Sequence, residues 1–176
     1  MISRKRSMAP VGSRDARLLI LGSLPGEASL AAQRYYAHPT NQFWRLLGHA
    51  LGEDLAALGY EARLERLAAR DVALWDVVAE ALRQGSLDGA IRAATPNALA
   101  AYAAAHRRLE AVAFNGKTSA AIGRRALAGH DRLTLIDLPS SSAALTRPFA
   151  DKAAAWAALG RYAGVARDAE KSTVRS

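Results

Sequence analysis

The sequence predicts an α/β fold of three layers, with helices on both faces of a mostly parallel, four-stranded central sheet. Two observations carry that expectation. Four short, nearly continuous apolar runs end at turn-forming residues, as strands buried on both faces do. Between them lie longer stretches with apolar residues at helical spacing, so strands and helices alternate along the chain.

The elements follow in order. The lead, residues 1–15 ("MISRKRSMAPVGSRD"), is basic and polar and reads as flexible. "ARLLILGS" is the first strand, stopped by glycine, and "LPGEAS" a loop. From Asn41 to Leu51, Phe43, Trp44, Leu46, Leu47 and Ala50 recur at helical spacing, and "DLAALGYEARLERLAAR" continues with one or two further helices. "DVALWDVV" is the second strand. "SLDGAIRAA" and "TPNALAAYAAAHRR" read as helices, the first with Ser86 ahead of an acidic residue, the second with Thr95 before Pro96 at the first helical position. "LEAVAFN" is the third strand, "GKTSAAIGRRALAG" a helix, "RLTLIDLP" the fourth strand and "FADKAAAWAALGRYAGVA" a closing helix. Residues 16–165 are expected to form one domain, and residues 166–176 a polar tail.

Composition narrows the function classes. Lys and Arg number 24 against 16 Asp and Glu, a net charge of +8 with pI near 10.4, which favours a polyanionic partner and nucleic acid first. An arginine-rich composition inherited from a GC-rich genome gives the same excess without a partner, so charge alone leaves the question open. The absence of cysteine removes disulfides, thiolate nucleophiles and thiolate-bound metals, and fits a reducing cytoplasm. No apolar run approaches the roughly 18 residues of a membrane helix. The four histidines lack ligand spacing, so no metal is expected. Neither phosphate-binding glycine fingerprint is present; "NGKTS" is only a weak echo of one.

In an open parallel sheet, ligands bind where the loops gather at the carboxyl ends of the strands. Those loops read "GSLPGEAS" after the first strand, "FNGKTS" after the third and "LPSSSAALTRP" after the fourth. Two of them are rich in Gly, Pro and Ser, able to bring backbone amides and hydroxyls close to a ligand. Together with "YYAHPTNQFW" at residues 35–44, they resemble the uracil-DNA glycosylase superfamily, above all its mismatch-specific and hypoxanthine-directed branches. The resemblance covers roughly residues 17–160, with the motifs in the family's order.

The resemblance implies a uracil-DNA glycosylase-like fold and a hydrolase that flips a deaminated base, hypoxanthine or uracil, out of DNA and cuts its N-glycosidic bond without cleaving the strand. Its partner is DNA containing deaminated bases. Neither cofactor, metal nor membrane is implied, and a monomer in the cytoplasm, at the nucleoid, is expected. Gly22, Ser23, Leu24, Pro25 and Gly26 form the substrate loop, and Tyr36 stands where the family stacks the base. Mismatch-specific relatives hold the attacking water with an asparagine where this chain has Leu24, which cannot. The hypoxanthine-directed branch is similar in lacking a polar residue there, which assigns the water to Asn41, whose amide would accept from it. As the residue before a helix, Asn41 also reads as an N-cap, and the two roles are compatible.

His38 and Glu27 are alternative proton-transfer groups, read more simply as a turn histidine and a solvated carboxylate. Asp76, ending the second strand, would accept from a purine-like N–H, or cap the following segment. Asn115 looks like the family's third-strand exit and Lys117 like a phosphate contact. Ser140, Ser141 and Ser142 would hold phosphates, and Leu145 or Ala144 would wedge into the gap left by the base. A non-catalytic nucleic-acid-binding member of the superfamily is the alternative, motivated by Leu24.

Overall fold

The structure, a computed structural model, describes residues 1–166. In chain order its strands and helices are β1 (Ser3–Arg6), β2 (Val11–Gly12), β3 (Leu18–Gly22), α1 (Glu27–Ala32), α2 (Phe43–Leu51), α3 (Tyr60–Ala69), β4 (Val72–Asp76), β5 (Val78–Arg83), β6 (Arg92–Pro96), α4 (Leu99–Ala105), β7 (Ala111–Asn115), α5 (Lys117–Ala126), β8 (Thr134–Leu138) and α6 (Phe149–Trp156). Single 3-10 turns sit at Leu55–Ala57, Asp88–Ala90 and Ala157–Arg161. No helix among the described residues is long and apolar enough to cross a membrane.

The four expected strands form the body of a five-stranded sheet in the order β2-β4-β3-β7-β8. β3 lies parallel between β4 and β7, with Leu18 opposite both Val72 and Ala111, and β8 extends the parallel run beyond β7. The fifth strand, β2, is a two-residue antiparallel edge on β4. Alternation along the strands sends Leu18, Ile20, Val72, Leu74, Ala111 and Ala113 to one face, against Phe43, Leu47 and Trp156 of α2 and α6. Leu19, Leu21, Ala73, Val112 and Phe114 go to the other, against Leu99 and Tyr102 of α4 and Ala120 and Ile122 of α5. Both faces of β3, β4 and β7 are covered, which is why those strands read as unbroken apolar runs, whereas β8, at the edge, keeps Thr134 and Asp137 exposed.

A second sheet, β1-β5-β6, departs from the sequence reading. The lead expected to be flexible contains β1, paired antiparallel with β5 from Ser3↔Arg83 to Arg6↔Glu80, as well as β2. Its charge does not prevent pairing, because Arg4 and Arg6 meet Glu80 across the ladder at 2.6 and 3.3 Å. The helix expected over "SLDGAIRAA" is instead a 3-10 turn followed by β6, which covers the other edge of β5. Thr95 and Pro96 therefore end a strand instead of starting a helix, and α4 begins at Leu99. Asn97 braces that exit through Nδ2, which donates to the carbonyls of Asp76 and Val78. The loop read at "LPGEAS" winds from Glu27 into the short α1. Residues 167–176, most of the expected polar tail, lie outside the described residues.

Candidate active site

Because β3, β4, β7 and β8 run parallel, their carboxyl ends face one side. There, the loops enclose a cleft of about 890 Å³. Gly22, Ser23, Leu24, Pro25 and Gly26 line it from the loop after β3. Tyr36, His38 and Asn41 line it from the connection to α2, Asp76 from the end of β4, and Asn115 from the end of β7. Ser140, Ser141, Ser142, Ala144 and Leu145 line it from the loop after β8. Lys117 stands apart, exposed at the start of α5, and Glu27 points to Lys5 at 3.4 Å instead of into the cleft.

A continuous hydrogen-bond chain connects three of these segments. The Ser141 N–H donates to Asn115 Oδ1 at 2.9 Å, and Asn115 Nδ2 donates to Ser141 Oγ at 2.8 Å and to the Tyr36 hydroxyl at 3.3 Å. Ser141 Oγ in turn donates to Asn41 Oδ1 at 2.8 Å, which also accepts from the Phe43 N–H at 3.0 Å. Two expectations change as a result. Ser141, expected to hold a phosphate, is 1% exposed, and its hydroxyl and N–H are both used inside the protein. Asn41 was expected to accept from a water, but two donors already occupy its oxygen, which also fixes which end of the amide is which. What it has left is Nδ2, a donor with no partner among the described residues. The N-cap of α2 is Gln42, not Asn41, and its side chain makes no capping bond; Asn41 stands one residue earlier, where its oxygen closes a turn onto the Phe43 N–H.

Tyr36 sits at φ 54°, a left-handed conformation that costs tyrosine on the order of 1–3 kcal/mol. Its ring lies flat on Phe43, with centroids 3.7 Å apart and planes 5° from parallel. Phe43 is fully buried, so it acts as a rigid backing for a ring that lines the cleft. Burial, reinforced by the nearby Asp76 charge, pushes the Tyr36 hydroxyl well above its usual pKa, so it remains a neutral donor and acceptor. Gly22 makes this crowding feasible: a Cβ there would lie 2.7 Å from Asp76 Oδ1 and 2.9 Å from the Tyr36 hydroxyl. Gly22→Ala is expected to displace both groups, destabilising the fold by about 1–3 kcal/mol and lowering activity beyond that loss. Thermal denaturation together with a rate assay checks this, and a variant as stable and as active as the parent would contradict it.

Asp76 is 3% exposed and accepts from Ser7 Oγ at 3.0 Å. Burial pushes its carboxyl from the ordinary 3.8 up to about 7, with the Ser7 hydroxyl and Arg83 pulling down and Asp88 pushing up. Asp88, on the turn before β6, also lines the cleft and accepts from Ser23 Oγ at 2.5 Å. Burial raises its pKa too, against the Ser23 hydrogen bond and the Arg83 charge. His38 is exposed, and its Nδ1 faces Thr40, 2.8 Å from Oγ1.

Residues 9–160 match the sequence profile of the Uracil DNA glycosylase superfamily. The chain belongs to that superfamily. It is 37% identical over 156 residues to a protein of Methanosarcina barkeri named hypoxanthine DNA glycosylase, an alignment spanning 88% of this chain and 96% of the relative. A Methanosarcina acetivorans protein of the same name is 36% identical over 158 residues, spanning 90% and 99%. The solution NMR structure of a candidate uracil DNA glycosylase from M. acetivorans superposes with a TM-score of 0.80 at 34% identity, covering 90% of this chain and 98% of that one.

Two buried cations in this superfamily member escaped the sequence reading. Arg83 is fully buried, and its guanidinium donates to the carbonyls of Leu24, Pro25 and Gly85, clamping the first loop from behind. Burial lowers its pKa, with Asp88, Glu27 and Asp76 opposing. Lys152 of α6, equally buried, donates to Gln42 Oε1 at 3.0 Å and to the Ser142 carbonyl at 3.1 Å. It ties together the neighbours of Asn41 and Ser141. The one sequence signal for either is a lone cation inside an apolar stretch, "VVAEALR" or "ADKAAAW". Leu24, for its part, packs into the core beneath the loop, so only its backbone is held by a polar group.

Proposed function

We propose that the protein is a monofunctional DNA glycosylase that takes an extruded hypoxanthine into this cleft and hydrolyses its N-glycosidic bond, beginning base excision repair on chromosomal DNA in the cytoplasm. The observation that carries the reading is the Asn115–Ser141–Asn41 chain, which presents one free amide NH2 to a cleft walled by Tyr36. Relatives named hypoxanthine DNA glycosylase support it.

The chemistry assigns the parts. As the bond from C1′ to the base breaks, its electrons leave with the base and positive charge grows on the sugar. Asn41 Nδ2 donates to the oxygen of a water, leaving a second lone pair to bond C1′; the water then releases its proton to solvent. Tyr36, backed by Phe43, offers a flat face for stacking, worth roughly 1–3 kcal/mol per base at comparable sites.

Asp76 supports hypoxanthine over uracil. An ionised carboxylate can accept from hypoxanthine N1–H with only a C–H on the far side, whereas uracil N3–H is flanked by two carbonyls that repel it. Adenine has no N–H at that position. Guanine would offer two, so its exclusion has to come from the cost of extruding a well-paired base, a cost that is least for mismatched ones.

The test uses duplexes with a single hypoxanthine, uracil or thymine opposite each normal base, enzyme in excess, with free base identified by mass and abasic sites opened by alkali. Free hypoxanthine and a strand that breaks only after alkali are expected. No product from any duplex would overturn the reading and leave a non-catalytic DNA-binding member.

A further inference from the structure

Leu87 is 62% exposed, and it lines the same cleft as Leu145, which is 37% exposed. A lone surface leucine is ordinarily unremarked. This one sits on a turn fixed at three points around it. The Gly85 carbonyl accepts from Arg83 Nε at 2.9 Å, Ser86 Oγ accepts the Glu27 N–H at 2.9 Å, and Asp88 Oδ1 accepts from Ser23 Oγ at 2.5 Å. Of the two neighbours of Leu87, Ser86 is thus bonded to the start of α1 and Asp88 to the first loop, while Leu87 itself is exposed.

Chain order places the two leucines on different loops: the Leu87 turn follows β5, which continues directly from β4, and is bonded to the loop after β3, whereas Leu145 follows β8 at the edge of the five-stranded sheet. A rigid apolar residue held in water gains by entering an apolar gap without paying for ordering on arrival. The partner with such a gap is duplex DNA from which one base has been withdrawn.

Resting on the glycosylase reading, we infer that Leu87 is a second wedge, entering the base stack from the turn after β5 while Leu145 enters from the loop after β8. Two wedges hold both neighbours of the vacated position apart, so the extruded base cannot return. A single strand has no opposing stack to hold open, and there Leu87 contributes little.

The test compares Leu87→Ala and Leu145→Ala with the unsubstituted protein on one deoxyinosine sequence, as duplex and as single strand. A fluorescent 2-aminopurine beside the lesion reports unstacking without bond cleavage. Leu87→Ala is expected to lose about tenfold in duplex excision, the scale of one leucine burial, while keeping its single-strand rate and melting temperature. Its 2-aminopurine signal should fall in parallel. An unchanged duplex rate and signal, or an equal fall on both substrates, overturns the wedge. Inactivity of the unsubstituted protein on both substrates would strike the glycosylase reading instead, and the 2-aminopurine signal would still decide whether Leu87 opens the stack.

Discussion

Asp76→Asn is expected to stabilise the protein above pH 7 and to lose about tenfold or more of its hypoxanthine excision, the scale of a charged hydrogen bond. The sign follows from burial. The carboxyl gives up its proton near pH 3.9 in the unfolded chain but only near 7 in the folded one. Between those values the folded state binds more protons, so this group's contribution falls as pH rises and levels off above 7. An asparagine carries no charge and still accepts the Ser7 hydroxyl. Its gain should be absent near pH 4 and complete by pH 8, on the order of 2 kcal/mol, since relaxation returns part of the roughly 1.4 kcal/mol per pKa unit.

Activity should show the mirror image. The carboxylate that reads N1–H exists only above the shifted pKa, so the parental rate should rise between pH 6 and 8 around a midpoint of about 7. The Ser7 hydroxyl, Asp88 and Arg83 act on the same carboxyl and tune that midpoint. In Asp76→Asn this rise should vanish. Thermal melts at pH 4 and 8, with kcat/KM across pH, check both halves; destabilisation at pH 8 or an unchanged pH profile would contradict them.

Legibility in the sequence followed hydrophobic period. β3, β4, β7 and β8 were readable as short apolar runs bounded by turn residues, and the buried face of α2 by its period of about 3.6. β1 and β6 were not: the residues of β6 are all exposed and those of β1 are polar, so only pairing with β5 makes them strands. The strand-end loops announced the cleft through small residues. The inner chain did not show, because Ser141 meets Asn41 across 100 positions and nothing local tells a buried serine from its exposed neighbours. Ser141 holds Asn41 by a direct hydrogen bond, and Asn115 holds Ser141. Arg83 and Lys152 were invisible for the opposite reason, since the default for a lone cation is exposure.

Asn41 is where the largest loss of rate is expected. Asn41→Ser keeps a side-chain oxygen that can accept the Phe43 N–H and so retains the helix start, but it removes Nδ2. Asn41→Ala removes both and should cost about 1 kcal/mol of stability besides. If the amide holds the water, the two variants should be equally slow, on the order of 10²–10³-fold below the parent, with DNA affinity unchanged. If Asn41 only braces the turn into α2, the serine variant should work normally and the alanine variant should differ mainly in stability.

The most direct measurement is single-turnover excision of hypoxanthine from a deoxyinosine duplex by the parent and by Asn41→Ser, with enzyme saturating in both. Full conversion by the parent, with the variant slower by the factor above at equal DNA occupancy, is the result predicted. Equal rates for the two proteins, or no conversion by the parent, would contradict the account.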